Sequence, residues 1–189
     1  GLVPQPKVAP AYAKSRLDLA AGSWKLERAS QVTASPAALS QPGFQDQSWL
    51  VATVPGTILA SYLNAGALPD PNYSDNQNMI SDSFFYSDFW YRREFTAPPA
   101  GRRAWLNFDG INWKADVYFN GEKLGRIEGA FTRARFDVTS RIKPGARNAL
   151  AVLIVKNATP GSIKEKTYEN PDKNGGALGA DNPTYHASI

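Results

Sequence analysis

An all-β sandwich, a jelly roll carrying one short helix, is the fold this sequence predicts, and three observations point to it. Strand-like alternation of apolar and polar residues recurs through its second half. Turn formers punctuate the pattern, with 15 Gly and 14 Pro in 189 residues. Aromatic residues make up 12 % of the chain, five of them Trp, which suits pleated and half-buried surfaces. No internal repeat of the solenoid or propeller kind is present.

The elements follow in order. Residues 1–16 are broken by Pro4, Pro6 and Pro10 and read as an arm; residues 17–189 make the sandwich. Ser23 to Arg28 places Trp24 and Leu26 on one side of a first strand. Gln31 to Gln47, small and polar with Pro36 and Pro42, reads as loop. The apolar run from Trp49 ends in the Pro55-Gly56 turn. Thr57 is the N-cap expected for the helix, Ile58, Leu59, Tyr62 and Leu63 share its buried face, and Gly66 stops it. Leu68 to Asp88 is a long segment rich in Asn, Asp and Ser, of a length that usually carries function.

Strand then follows strand. Phe89, Tyr91, Arg93 and Phe95 alternate with Trp90, Arg92 and Glu94. Ala104, Leu106 and Phe108 point inward in the next, and Ala115, Val117 and Phe119 in the one after. Asn120-Gly121 predicts a two-residue type I′ hairpin, because both residues tolerate positive φ. Lys143-Pro144-Gly145 is a further turn. Ala149 to Val155 is apolar on both faces and predicts a central, fully covered strand.

Composition narrows the function. A net charge of +4 is spread over separated pairs, Arg92-Arg93, Arg102-Arg103 and Arg133/Arg135, with acids between them. That describes a mildly cationic surface, not a nucleic-acid footprint. No apolar stretch reaches membrane-spanning length. With no Cys and one His, a thiolate or histidine metal site and a disulfide lack their parts, and a Ser-His-Asp triad would have to use His186, in an irregular tail, without a G-x-S-x-G elbow. The oxygen ligands around Asp75, Asn76 and Asn78 lack EF-hand spacing, which leaves calcium there a weak, open reading, and no phosphate-cradling glycine loop is present, so no metal site or cofactor is assigned. What remains is a binding surface in which Trp90, Trp113, Tyr73 and Tyr86 are interleaved with amides and carboxylates. Sugars call for that mixture, since C–H faces pack on rings while hydroxyls need polar partners. The competing reading is that a sandwich Trp belongs to the core.

The segment Phe108-Asp109-Gly110 to Asn120-Gly121-Glu122-Lys123-Leu124-Gly125, then Phe136-Asp137-Val138-Thr139, Lys143-Pro144-Gly145, Asn148 and the strand ending at Asn157, resembles the N-terminal sugar-binding domain of glycoside hydrolase family 2. Val54-Pro55-Gly56-Thr57, Gly66, Pro69-Asp70-Pro71 and Trp90-Tyr91-Arg92 resemble its β-mannosidase and exo-β-glucosaminidase branch. Gly129-Ala130-Phe131 departs from the His-x-Gly-Gly/Tyr of many relatives. The resemblance implies a galactose-binding-like sandwich and a parent that is a retaining exo-β-glycosidase, secreted or periplasmic. Its two catalytic carboxyl groups would stand about 5–5.5 Å apart in a barrel that this chain does not contain. The domain would help wall the pocket and recognise a terminal β-linked sugar, with Tyr73, Asp75, Asn76, Asn78 and Trp113 as the candidate binding residues.

Two further readings stay open, a free-standing carbohydrate-binding module and a jelly roll used only for protein contacts. The family also implies that residues 17–189 stop before the last sandwich strand. An unpaired sheet edge would then favour weak self-association, with an irregular tail over Thr159 to Ile189 held by Tyr168 and Tyr185.

Overall fold

The computed structural model describes residues 17–20, 22–55, 58–66, 87–99, 103–111, 114–129 and 132–155. Their elements are β1 (Trp24–Arg28), α1 (Pro36–Leu39), β2 (Leu50–Ala52), α2 (Ile58–Asn64), β3 (Phe89–Thr96), β4 (Trp105–Ile111), β5 (Lys114–Phe119), β6 (Glu122–Ile127), β7 (Thr132–Asp137) and β8 (Arg147–Val155). Six strands form one antiparallel sheet in the order β2-β1-β3-β8-β5-β6, and β4 pairs with β7 in a second sheet. The chain changes sheet at the β3–β4, β4–β5, β6–β7 and β7–β8 connections, which makes the fold a β-sandwich.

The main core lies between the sheets. Leu26, Tyr91, Val117, Val152 and Ile154 from the large sheet pack with Leu106, Phe108, Ile111 and Val138 from the other layer. Strand alternation produces this directly: Trp24 and Leu26 turn inward as expected, and so do Val117 and Phe119. Helix α2 seals the flank. Ile58 and Tyr62 are buried, Tyr62 meets Phe89 edge-on at 6.1 Å, and Gly66 ends the element at φ +68°. Thr57, the expected cap, lies outside the described residues.

The outer face of the large sheet is covered as well. Segment 29–49 crosses it and builds a second core from Leu39, Trp49, Trp90 and Ala151. This covering explains why β8, seated between β3 and β5, is apolar on both faces. It also corrects the reading of Trp90 as a surface aromatic: Trp90 is 5 % exposed and packs on Tyr118. The covering segment, read as loop, contains a helical turn, α1. Ser35 caps it by accepting from the Ala38 N–H at 3.2 Å, and Pro36 occupies its first position.

Arg92 ties segment and sheet together. It is fully buried, donates from Nε to the Leu39 carbonyl and from Nη2 to the Gln41 carbonyl, both at 2.7 Å, and pairs with Asp46 and Glu94. Burial alone would push the Glu94 carboxyl up, but the Gly43 N–H, Arg92 and Arg147 outweigh it and hold the group below its ordinary value. Phe44 lies 5.3 Å from the guanidinium and closes the site.

The Asn120-Gly121 turn has φ values of +48° and +90° between the paired residues Phe119 and Glu122, the backbone of a type I′ hairpin. Gly145 at φ +67°, with the Ala146 N–H donating to the Lys143 carbonyl, completes the Lys-Pro-Gly turn.

Candidate functional site

Strand register gathers the chain's connections at one end of the sandwich. Strand β4 leaves at Ile111 and β5 enters at Lys114, while β6 leaves at Ile127 and β7 enters at Thr132. Ile111 pairs with Thr132, Lys114 with Val155, Ala115 with Ile127, and Phe89 with Ile154. The end of β8 and the start of β3 therefore share this end with the β4–β5 and β6–β7 connections. The return into β3 is pinned there, because the Ala29 N–H donates to the Asp88 carbonyl at 2.8 Å.

Tyr73, Asp75, Asn76, Asn78 and Trp113, the expected binding residues, lie outside the described residues, as do Tyr86, Tyr168 and Tyr185. Their flanks are described. Asp88, which closes the long segment holding the first four, sits at the same end as Ile111 and Lys114, which bracket Trp113. The sequence separation between Phe89 and Ile154, about 65 residues, is thus removed by sheet pairing alone. The Asp-Gly of the family-like motif falls where β4 slips register, between Phe108 and Ile111.

One nearly buried carboxylate at this end is neutralised by two cations. Asp116, 5 % exposed on the outer face of β5, accepts from Arg126 Nε at 2.8 Å and Nη2 at 2.9 Å, and Lys123 lies 3.3 Å away. The Arg126 hydrogen bonds come first among the causes that hold its carboxyl below the usual range, against a smaller opposing effect of burial. A carboxylate so held stays ionised near neutrality and is ill suited to proton transfer. Among the described residues, no cluster of three or more His, Cys, Asp or Glu could hold a metal.

At the far end of β4 the structure shows an aromatic that the sequence reading passed over. Trp105 is 40 % exposed, with the Arg135 guanidinium 3.9 Å above its ring. Strand alternation could have found it, since Leu106 and Phe108 inward place Trp105 outward.

A family model described as "Glycosyl hydrolase 2 galactose-binding domain-like" matches residues 24–185. The chain is 36 % identical over 163 residues to an exo-β-D-glucosaminidase of Streptomyces avermitilis, covering 82 % of this chain and 18 % of that protein. It is 34 % identical over 162 residues to a mannosylglycoprotein endo-β-mannosidase of Lilium longiflorum, covering 82 % of this chain and 16 % of that one. In the solved exo-chitosanase CsxA of Amycolatopsis orientalis, the similar region gives a TM-score of 0.67 at 30 % identity, over 73 % of this chain and 16 % of the other. The chain therefore spans less than a fifth of the length of these relatives.

Proposed function

This chain belongs to the glycosyl hydrolase 2 galactose-binding domain-like family, and from that premise we propose that it is the N-terminal, sugar-binding part of a retaining exo-β-glycosidase. The observation that carries the reading is the lopsided match: most of this chain against a small part of much longer glycosidases. The catalytic carboxylates belong to the rest of the parent polypeptide, and the chain alone does not turn over substrate. Its task is to wall the pocket and hold a terminal β-linked sugar, with glucosamine or mannose as the first candidates. Convergence of the flanks of the 67–86 segment and of the β4–β5 turn supports Tyr73, Asp75, Asn76, Asn78 and Trp113 as that wall. The parent works outside the cytoplasm, secreted or periplasmic, and the isolated domain self-associates weakly.

The test measures nitrophenol release from aryl β-glucosaminide, β-mannoside and β-galactoside by the chain alone and by the longer polypeptide. Turnover by the longer protein only is expected, with Asn76→Ala and Trp113→Ala each raising KM by about tenfold in it. Turnover that copurifies with the 189-residue chain would overturn the assignment.

A further inference from the structure

The outer face of the β4–β7 sheet carries a mixture of groups that the main core does not explain. Trp105, Asn107 and Asp109 point outward from β4, and Arg133, Arg135 and Asp137 from β7; all six are exposed. Pairing sets Trp105 opposite Asp137 and Asn107 opposite Arg135. The Arg135 guanidinium carbon lies 3.9 Å from the Trp105 ring centroid, and the Asp137 charge is near enough to be felt, yet neither Arg133 nor Arg135 has an ion-pair partner within 4.0 Å among the described residues. Stacking uses the face of a guanidinium and leaves its in-plane N–H fork free, in a fixed orientation, for a bidentate acceptor.

We propose that this face is a second binding surface, for a saccharide bearing a carboxylate, such as a uronic-acid unit. The carboxylate takes the Arg135 fork with Arg133 beside it, sugar C–H groups pack on the exposed part of Trp105, and hydroxyls use Asn107 and Asp137, which supply the acceptors that two arginines cannot. Trp105 lies at the opposite end of β4 from Ile111, so its ring stands roughly 20 Å from the loop-bearing end at the strand rise per residue, while Arg133 adjoins that end. The stacked Trp105–Arg135 pair is thus separate in place from the pocket wall described above.

The experiment titrates the 189-residue chain with tetragalacturonate, a neutral glucose tetrasaccharide and tetraglutamate, reading Trp fluorescence and calorimetric heat, with circular dichroism confirming the fold of each variant. Expected are saturable binding of tetragalacturonate alone, an affinity about tenfold weaker in Arg135→Gln, and loss of the fluorescence change in Trp105→Phe. No saturable binding, an unchanged affinity in Arg135→Gln, or equal binding of the neutral sugar overturns the proposal. Equal binding of tetraglutamate also overturns it, and marks the face as a contact for an acidic protein segment.

Discussion

The Asn120 side-chain amide donates to the Asn148 side-chain oxygen at 2.7 Å, joining the β5–β6 turn to the first residues of β8. Each asparagine is satisfied on every side. Asn148 accepts from the Lys143 N–H and donates to the Lys143 and Ala146 carbonyls, while Asn120 donates to the Arg141 carbonyl and accepts from the Ala149 N–H. Two short motifs that mark the family-like pattern thus meet at the end of the sandwich away from the candidate site, and their work there is architectural.

Asn148 is wholly buried, so removing it leaves paired groups without partners. Asn148→Ala should cost about 2–4 kcal/mol, read as a lower urea midpoint at constant slope. Asn148→Asp should be at least as harmful, because its carboxylate would face two carbonyls that now accept from Nδ2. A midpoint unchanged in both variants would show that the turn is held by its backbone alone.

Gly121 gives a second handle on the same corner. Its φ of +90° strains any side chain, and an added Cβ would collide with Gln41 Nε2. Gly121→Val should cost about 1–2 kcal/mol, mostly through the backbone. The double variant with Gln41→Ala should recover little of that loss; full recovery would mean that the collision, not φ, sets the cost.

Arg92 supports a third prediction, which depends on pH. Arg92→Met leaves the Leu39 and Gln41 carbonyls without their donor and breaks two ion pairs, a loss of about 3 kcal/mol at neutral pH. The folded Glu94 carboxyl titrates below its ordinary 4.5, so its stabilisation is present above that value and lost as pH falls through the lower, folded one. Stability of the parent chain should therefore drop below about pH 4.5, and Arg92→Met should flatten that drop. Chemical denaturation from pH 7 to pH 3 measures both, and parallel curves would remove Glu94 from the account.

Much of this was legible in the chain, for local reasons. The apolar run Ala149–Val155 could be satisfied only by cover on both faces, and Asn120-Gly121 by positive φ, so the central strand and the hairpin could be read directly. Trp90 could not, because its burial depends on Leu39 and Trp49, about forty to fifty residues away on the covering segment. Arg92 looked like surface charge for the same reason: its partners Asp46, Leu39 and Gln41 come from that distant segment. The Ser35-Pro36 cap was visible but lay in a stretch too short and too small in side chain to show helical periodicity. Of the candidate site, the sequence supplied residue types and the structure the common end of their flanks.

The covering segment makes the last prediction. Leu39 is completely buried, and its cluster with Trp49, Trp90 and Ala151 is separated from the main core by the thickness of the sheet. Truncating it should cost about 2–4 kcal/mol, the usual range for a buried Leu. Whether that loss is local or global depends on Arg92, which hydrogen-bonds the Leu39 carbonyl from inside the sheet and so couples the two layers. Leu39→Ala keeps that backbone bond, so the protein should still unfold in one step, with Trp fluorescence and far-ultraviolet dichroism tracing the same midpoint. In Leu39→Ala combined with Arg92→Met the coupling is gone. The fluorescence of Trp49 and Trp90 should then change at lower denaturant than the sheet signal. Coincident transitions in the double variant would show that packing alone holds the segment to the sheet.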